Sequence, residues 1–115
     1  MKRAIFSMAL SCCALVSIPA AQAQMGDMDM QFLMKASQSD FTEIKFSQLA
    51  MDKASSPQVK AFAQKMITDH QTLETDMKPF ADKAGVSLVM ELDAEHQQKY
   101  DALSQLSGMD FDKTT

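Results

Sequence analysis

Three side chains of this 115-residue sequence are placed to act together: Asp40, Glu43 and His70. If two helices meet in a hairpin near Ser55-Ser56, Glu43 precedes the turn by about 12 residues and His70 follows it by about 14. At 1.5 Å per residue their heights then differ by about 3 Å. Asp40 lies one turn from Glu43 on the same face, and Asp69 adjoins His70. A carboxylate-imidazole cluster of Asp40, Glu43 and His70 would suit iron, manganese or zinc. The competing reading is a buried His70–Glu43 hydrogen bond that fixes the register of two helices, with Asp40 and Asp69 solvated. The Glu-x-x-His pair of di-iron bundles is absent, because Ile67 stands three residues before His70. That absence weighs toward the structural reading.

A softer chemistry is offered by Met25, Met28 and Met30, three thioethers within Met-Gly-Asp-Met-Asp-Met. Thioethers are ligands for Cu(I), so copper is the metal this cluster would take. Its other reading is a flexible tail. Met34, Met51, Met66 and Met77 recur at helical steps and read as adaptable core filler. No Gly-rich phosphate loop, Gly-x-Ser-x-Gly or His-Glu-x-x-His occurs, and no substrate pocket can be read beside Glu43 and His70.

The elements that must carry these residues are helices. From about Asp29 to Ala54, Leu33, Ala36, Phe41, Ile44, Ala50 and Met51 recur at three- and four-residue steps. Ser37-Gln38-Ser39-Asp40 is the expected weak point, where side-chain hydrogen bonds compete with the backbone and could fray or kink the helix. Ser56-Pro57 is an N-cap followed by proline at the first helical position, and opens a second helix. Its stripe runs Val59, Phe62, Ala63, Met66, His70, Leu73, Met77, Phe80, Ala81 and Ala84, with Gly85 placed to end it. Pro79 predicts a kink in the last two turns, or an end to the regular helix near Lys78. Residues 86–92 read as extended. Asp93 caps a short third helix with a Glu95–Lys99 pair and a face of His96, Tyr100, Leu103 and Leu106. Met109 to Asp112 begins a fourth element that stops after a few residues.

Composition fits one domain: 46% apolar, 23% charged, three Gly, three Pro and no Trp. A multidomain enzyme is excluded. Lys2-Arg3, the apolar run Ala4–Ile18 and Ala21-Gln22-Ala23 have the order of a secretory signal with cleavage after Ala23. Fifteen apolar residues are short for a membrane span, and no other segment is apolar enough, so no transmembrane segment is expected after cleavage. Cys12 and Cys13 lie inside the apolar run, leaving the mature 92 residues without cysteine; a lipid on either is a minor alternative, because Leu15 and Val16 prolong the run. Removal of the leader leaves nine Lys against fifteen Asp and Glu, a net charge of −6. Such a surface repels phosphate backbones, so no nucleic-acid partner is expected.

Phe32-Leu33, Lys35-Ala36, Glu43, Leu49-Ala50, Lys53-Ala54, Val59-Lys60-Ala61-Phe62-Ala63, Met66, Asp69-His70, Ala84-Gly85-Val86, Glu91-Leu92-Asp93-Ala94-Glu95-His96 and Leu103-Ser104 together carry a family resemblance. The chain resembles the secreted, ferritin-like bacterial proteins catalogued as domain of unknown function 4142 and often labelled outer membrane proteins. The resemblance implies a four-helix bundle in the envelope and no established activity; no barrel-like strand pattern accompanies the label. Family members continue past the step that is Phe111-Asp112 here into a long fourth helix with a second Asp-His pair, whereas this chain ends Lys113-Thr114-Thr115.

The resulting expectation is an all-α protein: residues 1–23 a signal peptide, 24–28 a flexible Met-rich segment, and 29–115 a ferritin-like helical hairpin plus a short third helix, an incomplete four-helix bundle. Its role is a periplasmic or envelope binding or structural module, with a homodimer formed through the exposed hairpin face. The alternatives are a metal-dependent redox or metal-binding protein using Glu43 and His70, or copper sequestration by Met25, Met28 and Met30. Export predicts that intact-mass measurement of the secreted protein finds Gln24 as the first residue; retention of Met1, or a lipid on Cys12, would refute it.

Overall fold

The computed structural model describes residues 26–114, and within them the chain is an all-α helical bundle. The order is α1 (Asp27–Lys53), α2 (Pro57–Ala84), α3 (Ala94–Ser104) and α4 (Gly108–Thr114). The expected signal peptide, 1–23, lies outside the described residues. Helix α1 starts two residues before the expected Asp29, so Asp27 and Met28 belong to it. Asp27 and Asp29 sit in its first turn, where carboxylates favour the positive end of the helix dipole.

α1 and α2 form an antiparallel hairpin across Ala54-Ser55-Ser56. The Ser56 hydroxyl accepts from the Val59 N–H at 3.4 Å, and Pro57 occupies the first helical position. At the far end Gly85 adopts φ 67°, a left-handed conformation that glycine enters without a Cβ clash. Its N–H donates to the Asp82 carbonyl, and the Val86 N–H donates to that of Ala81. This pair of bonds is the Schellman cap that closes the helix.

Two expected weak points are continuous helix. The Ser37–Asp40 segment neither frays nor ends α1, because its side chains find partners across the bundle instead of competing for local backbone. Ser37 Oγ accepts from the Val89 N–H at 2.7 Å, Gln38 Nε2 donates to the Glu91 carbonyl at 3.2 Å, and Asp40 meets His70. α2 likewise runs through Pro79 to Ala84 rather than ending near Lys78. Thr75, whose carbonyl loses its bond there, is exposed, so water can take the place of the missing N–H.

Ser37 and Gln38 tie the chain after α2 to α1, so residues 86–92 run back along the hairpin before α3 begins. Asp93 caps α3, accepting from the His96 N–H at 2.9 Å and from its ring Nδ1 at 2.7 Å. The His96 backbone N–H, then its ring, hold the Asp93 carboxyl below its ordinary value. Phe46 of α1 meets Tyr100 and His96 of α3 edge-to-face, with centroids 5.8 and 6.3 Å apart. This leg therefore lies along α1.

α4 closes the turn end. Phe111, 1% exposed, enters a core of Leu49, Ala50, Ala54 and Ala63, against which Val59, Tyr100, Leu103 and Leu106 pack. Asp112 accepts from the backbone N–H groups of Ser55 and Ser56 and, at 2.7 Å, from the Ser55 hydroxyl. It completes the cap of α2 from 56 residues away. Phe111→Ala is expected to cost about 3–5 kcal/mol in urea unfolding. The Ser55 hydroxyl, with the Ser55 and Ser56 N–H groups, lowers the Asp112 pKa. Its stabilisation is therefore present above the unfolded carboxylate value of about 3.9 and is lost as pH falls through the folded one. Thermal melts of wild type and Asp112→Asn should converge as pH falls below the unfolded value; a gap that does not narrow in acid would contradict this.

Candidate functional site

Helix register decides which carboxylate His70 meets. Asp40 and His70 stand equally far from Ser55, the centre of the turn, whereas Glu43 lies three positions nearer, about 4.5 Å along the axis. His70 Nδ1 lies 2.7 Å from Asp40 Oδ1. The expected Glu43–His70 partnership is thus replaced by Asp40–His70, and Asp40 is not solvated. Its side chain is 5% exposed and that of His70 20%. An ionised Asp40 accepts, so the bonding ring proton is the one on Nδ1, and Nε2 lies on the far side of the imidazole from the carboxylate.

Glu43 is exposed. Asp69, beside His70, is drawn outward into an ion pair with Lys65, one turn away on α2. Among the described residues no three His, Cys, Asp or Glu side chains converge closely enough to hold a metal ion. The pair itself is a carboxylate orienting an imidazole, the arrangement that supports histidine ligands in metal sites, with Glu43 one helical turn away.

The methionine cluster is spread by the helix. Met25 lies outside the described residues; Met28 and Met30, both in α1, are two positions apart and project to different sides. Met28 is fully open to solvent and Met30 half-buried.

The larger feature is a groove along the hairpin, walled at its turn end by Leu103 of α3 and Thr114 of α4. Toward the turn it opens to about 570 Å³ between Glu43, Phe46, Ala50, Val59, Phe62 and Leu103, among others. Toward the free ends a second hollow of about 330 Å³ is lined by Asp29, Phe32, Leu33, Leu73, Met77 and Phe80, with Ala36 and Asp76. Phe32, Phe62, Leu73 and Phe80 remain 75, 65, 50 and 57% exposed. The apolar stripe of α2 is wider than the seam it shares with α1, and only Ala63 and Ala81 of it are buried. A wide stripe was legible in the sequence; which of its large residues would stay uncovered was not, because that depends on the path of residues 86–114.

The model of a family described as a domain of unknown function, DUF4142, matches residues 14–114, a stretch that takes in all four helices. The chain belongs to this family. No curated protein and no solved structure matches it. Membership in the DUF4142 family brings no assigned chemistry; the features on which a function can rest are the Asp40–His70 pair and the groove. No helix among the described residues is long and apolar enough to cross a membrane.

The Asp40–His70 bond is measurable. A double-mutant cycle with Asp40→Asn and His70→Gln should give a coupling of about 1–2 kcal/mol, while Glu43→Gln with His70→Gln should add within about 0.5 kcal/mol. The reverse order would return Glu43 to the role first expected of it.

Proposed function

We infer that this DUF4142 chain is an exported protein of the periplasm or cell envelope, acting as a binding or structural module and not as an enzyme. The observation that carries the reading is the groove: three phenylalanines and a leucine, each at least half exposed, line two apolar hollows along the hairpin. Exposed apolar surface gathered on one face is what a docking element buries. The signal-like leader, with its Ala-x-Ala site, supports the compartment. A homodimer formed through this hairpin face is one assembly the surface suits.

A second reading has its own support. Asp40 holds His70 with Nε2 free to coordinate, and Glu43 lies one turn away, so a shift of the Glu43 side chain would bring a second ligand toward iron, manganese or zinc. One chain supplies too few donors for a closed site.

Metal analysis and photo-crosslinking separate the two readings. The module should carry at most traces of metal when purified after export. A photoreactive residue replacing Phe62 should crosslink in the periplasm, while one replacing exposed Gln98 should not. An equivalent of iron, manganese or zinc that is lost on His70→Ala would overturn the first reading in favour of the second.

A further inference from the structure

The residues of the groove repeat every seven positions. On α1 the series Asp29, Ala36, Glu43 and Ala50 is accompanied by Phe32 and Phe46, and on α2 Val59 and Phe62 are followed by Leu73, Asp76 and Phe80 in the same frame. A seven-residue repeat is the pattern of a seam that receives another helix in left-handed bundle packing. The middle layer of that repeat is polar: Ser39 and Asp40 on α1, Asp69 and His70 on α2. The two apolar hollows lie on either side of it, their centres about 10–14 Å away along the helices.

We propose that the groove is filled by the groove of a second copy of this chain, antiparallel, about a twofold axis at the Asp40–His70 layer. This deepens the module reading by naming its partner, and it rests on that reading only in taking the groove as the docking face. Because the hollows flank the polar layer at similar distances, such an axis lays the hollow near the turn of one copy over the hollow near the free ends of the other. Phe32 and Phe80, which stand proud of the smaller hollow, then enter the larger one, whose lining includes the small residues Ser47, Ala50 and Ala63. Polar layer meets polar layer, as a buried polar position fixes register in helical bundles.

Charge chooses the direction. The hollow near the free ends carries Asp29 and Asp76, and a parallel pairing, which lays α1 over the partner's α2, would set these two acids against each other across the interface. The antiparallel pairing sets them against an end whose polar lining is Gln58, Ser47 and Thr114, with Glu43 displaced toward the axis. Like charges face to face are the arrangement that interfaces avoid, and Asp69, which the axis sets level with its own copy, is compensated there by Lys65. The area also suffices: the exposed parts of Phe32, Phe62, Leu73 and Phe80 amount to about 450–500 Å² per chain on ordinary side-chain areas. Two copies thus contribute close to the ~1,000 Å² at which specific interfaces begin, before any flanking residue is included.

Sedimentation equilibrium of the protein recovered after export should show a reversible dimer at concentrations of about 1–100 μM. Phe32→Gln with Phe62→Gln should weaken association at least about tenfold with an unchanged helical far-UV spectrum, because both side chains are exposed in the monomer. Orientation is read by single cysteines. Ser39→Cys, exposed at the level of the axis, should form disulfide-linked dimers on oxidation, and Asp29→Cys should not, since its copies would lie about 30 Å apart. Should export fail, the mass spectrum shows it, and the same measurements run on the full chain with Cys12→Ser and Cys13→Ser. A monomer throughout that range, efficient self-linking of Asp29→Cys in place of Ser39→Cys, a dimer indifferent to both Phe substitutions, or a monomer that instead takes up phospholipid vesicles through Phe32 and Phe62 would each overturn the proposal.

Discussion

A carboxylate taken out of water must be given a donor, and Asp40 is given one: His70 Nδ1 at 2.7 Å, from the opposite helix. Much else in the bundle is set by that requirement. The two residues stand level only if the turn is centred on Ser55, so the bond and the three-residue connection select the same register. Sliding α2 by one turn against α1 would leave a buried acid unpaired, a penalty larger than the gain from most single apolar contacts. With the register set, the apolar residues of both helices fall into two groups on either side of one polar layer.

The same economy governs the rest of α1. Helices usually turn serine and glutamine to solvent; here Ser37 is buried and Gln38 half-buried, and they bond the backbone of residues 89 and 91. An extended segment has no hydrogen bonds of its own, so it can lie against a helix only where side chains satisfy its peptide groups. Ser37 and Gln38 meet that need at the place where the chain has left α2 and not yet begun α3. The path they impose lays the chain along α1 and leaves Phe32, Phe62, Leu73 and Phe80 uncovered.

Local rules made much of this legible in advance. The Ser56-Pro57 start, the Gly85 stop, the Asp93 cap and the Glu95–Lys99 pair each rest on residues within one turn, and each stands where the sequence put it. What escaped was whatever depends on residues far apart. Glu43 and Asp40 differ by one turn, and a small error in the assumed centre of the hairpin exchanges them as the partner of His70. The Ser37–Asp40 run read as a weakness because its partners, Val89, Glu91 and His70, lie on other elements. Pro79 left an end near Lys78 open beside a kink, because the exposure of Thr75 is a property of the folded bundle. Asp112 carried no local sign of its role at all.

α4 has a consequence for the order in which the molecule is completed. α1 and α2 need only each other to begin zipping from the Ser55 turn, and their contacts are close in sequence near it. The pocket bounded by Leu49, Ala54 and Ala63 is different, since its filling is Phe111 and its outer clasp is Asp112. In a chain that emerges N-terminus first, whether from a ribosome or through a membrane pore, the turn forms early and stays open on its inner side until residues 108–114 arrive. The earliest part of the hairpin is therefore the last to become dry. Until then the chain is loosely closed at its bend, and a pause in delivery before Phe111 exposes a small aliphatic cleft to any chaperone or protease at hand.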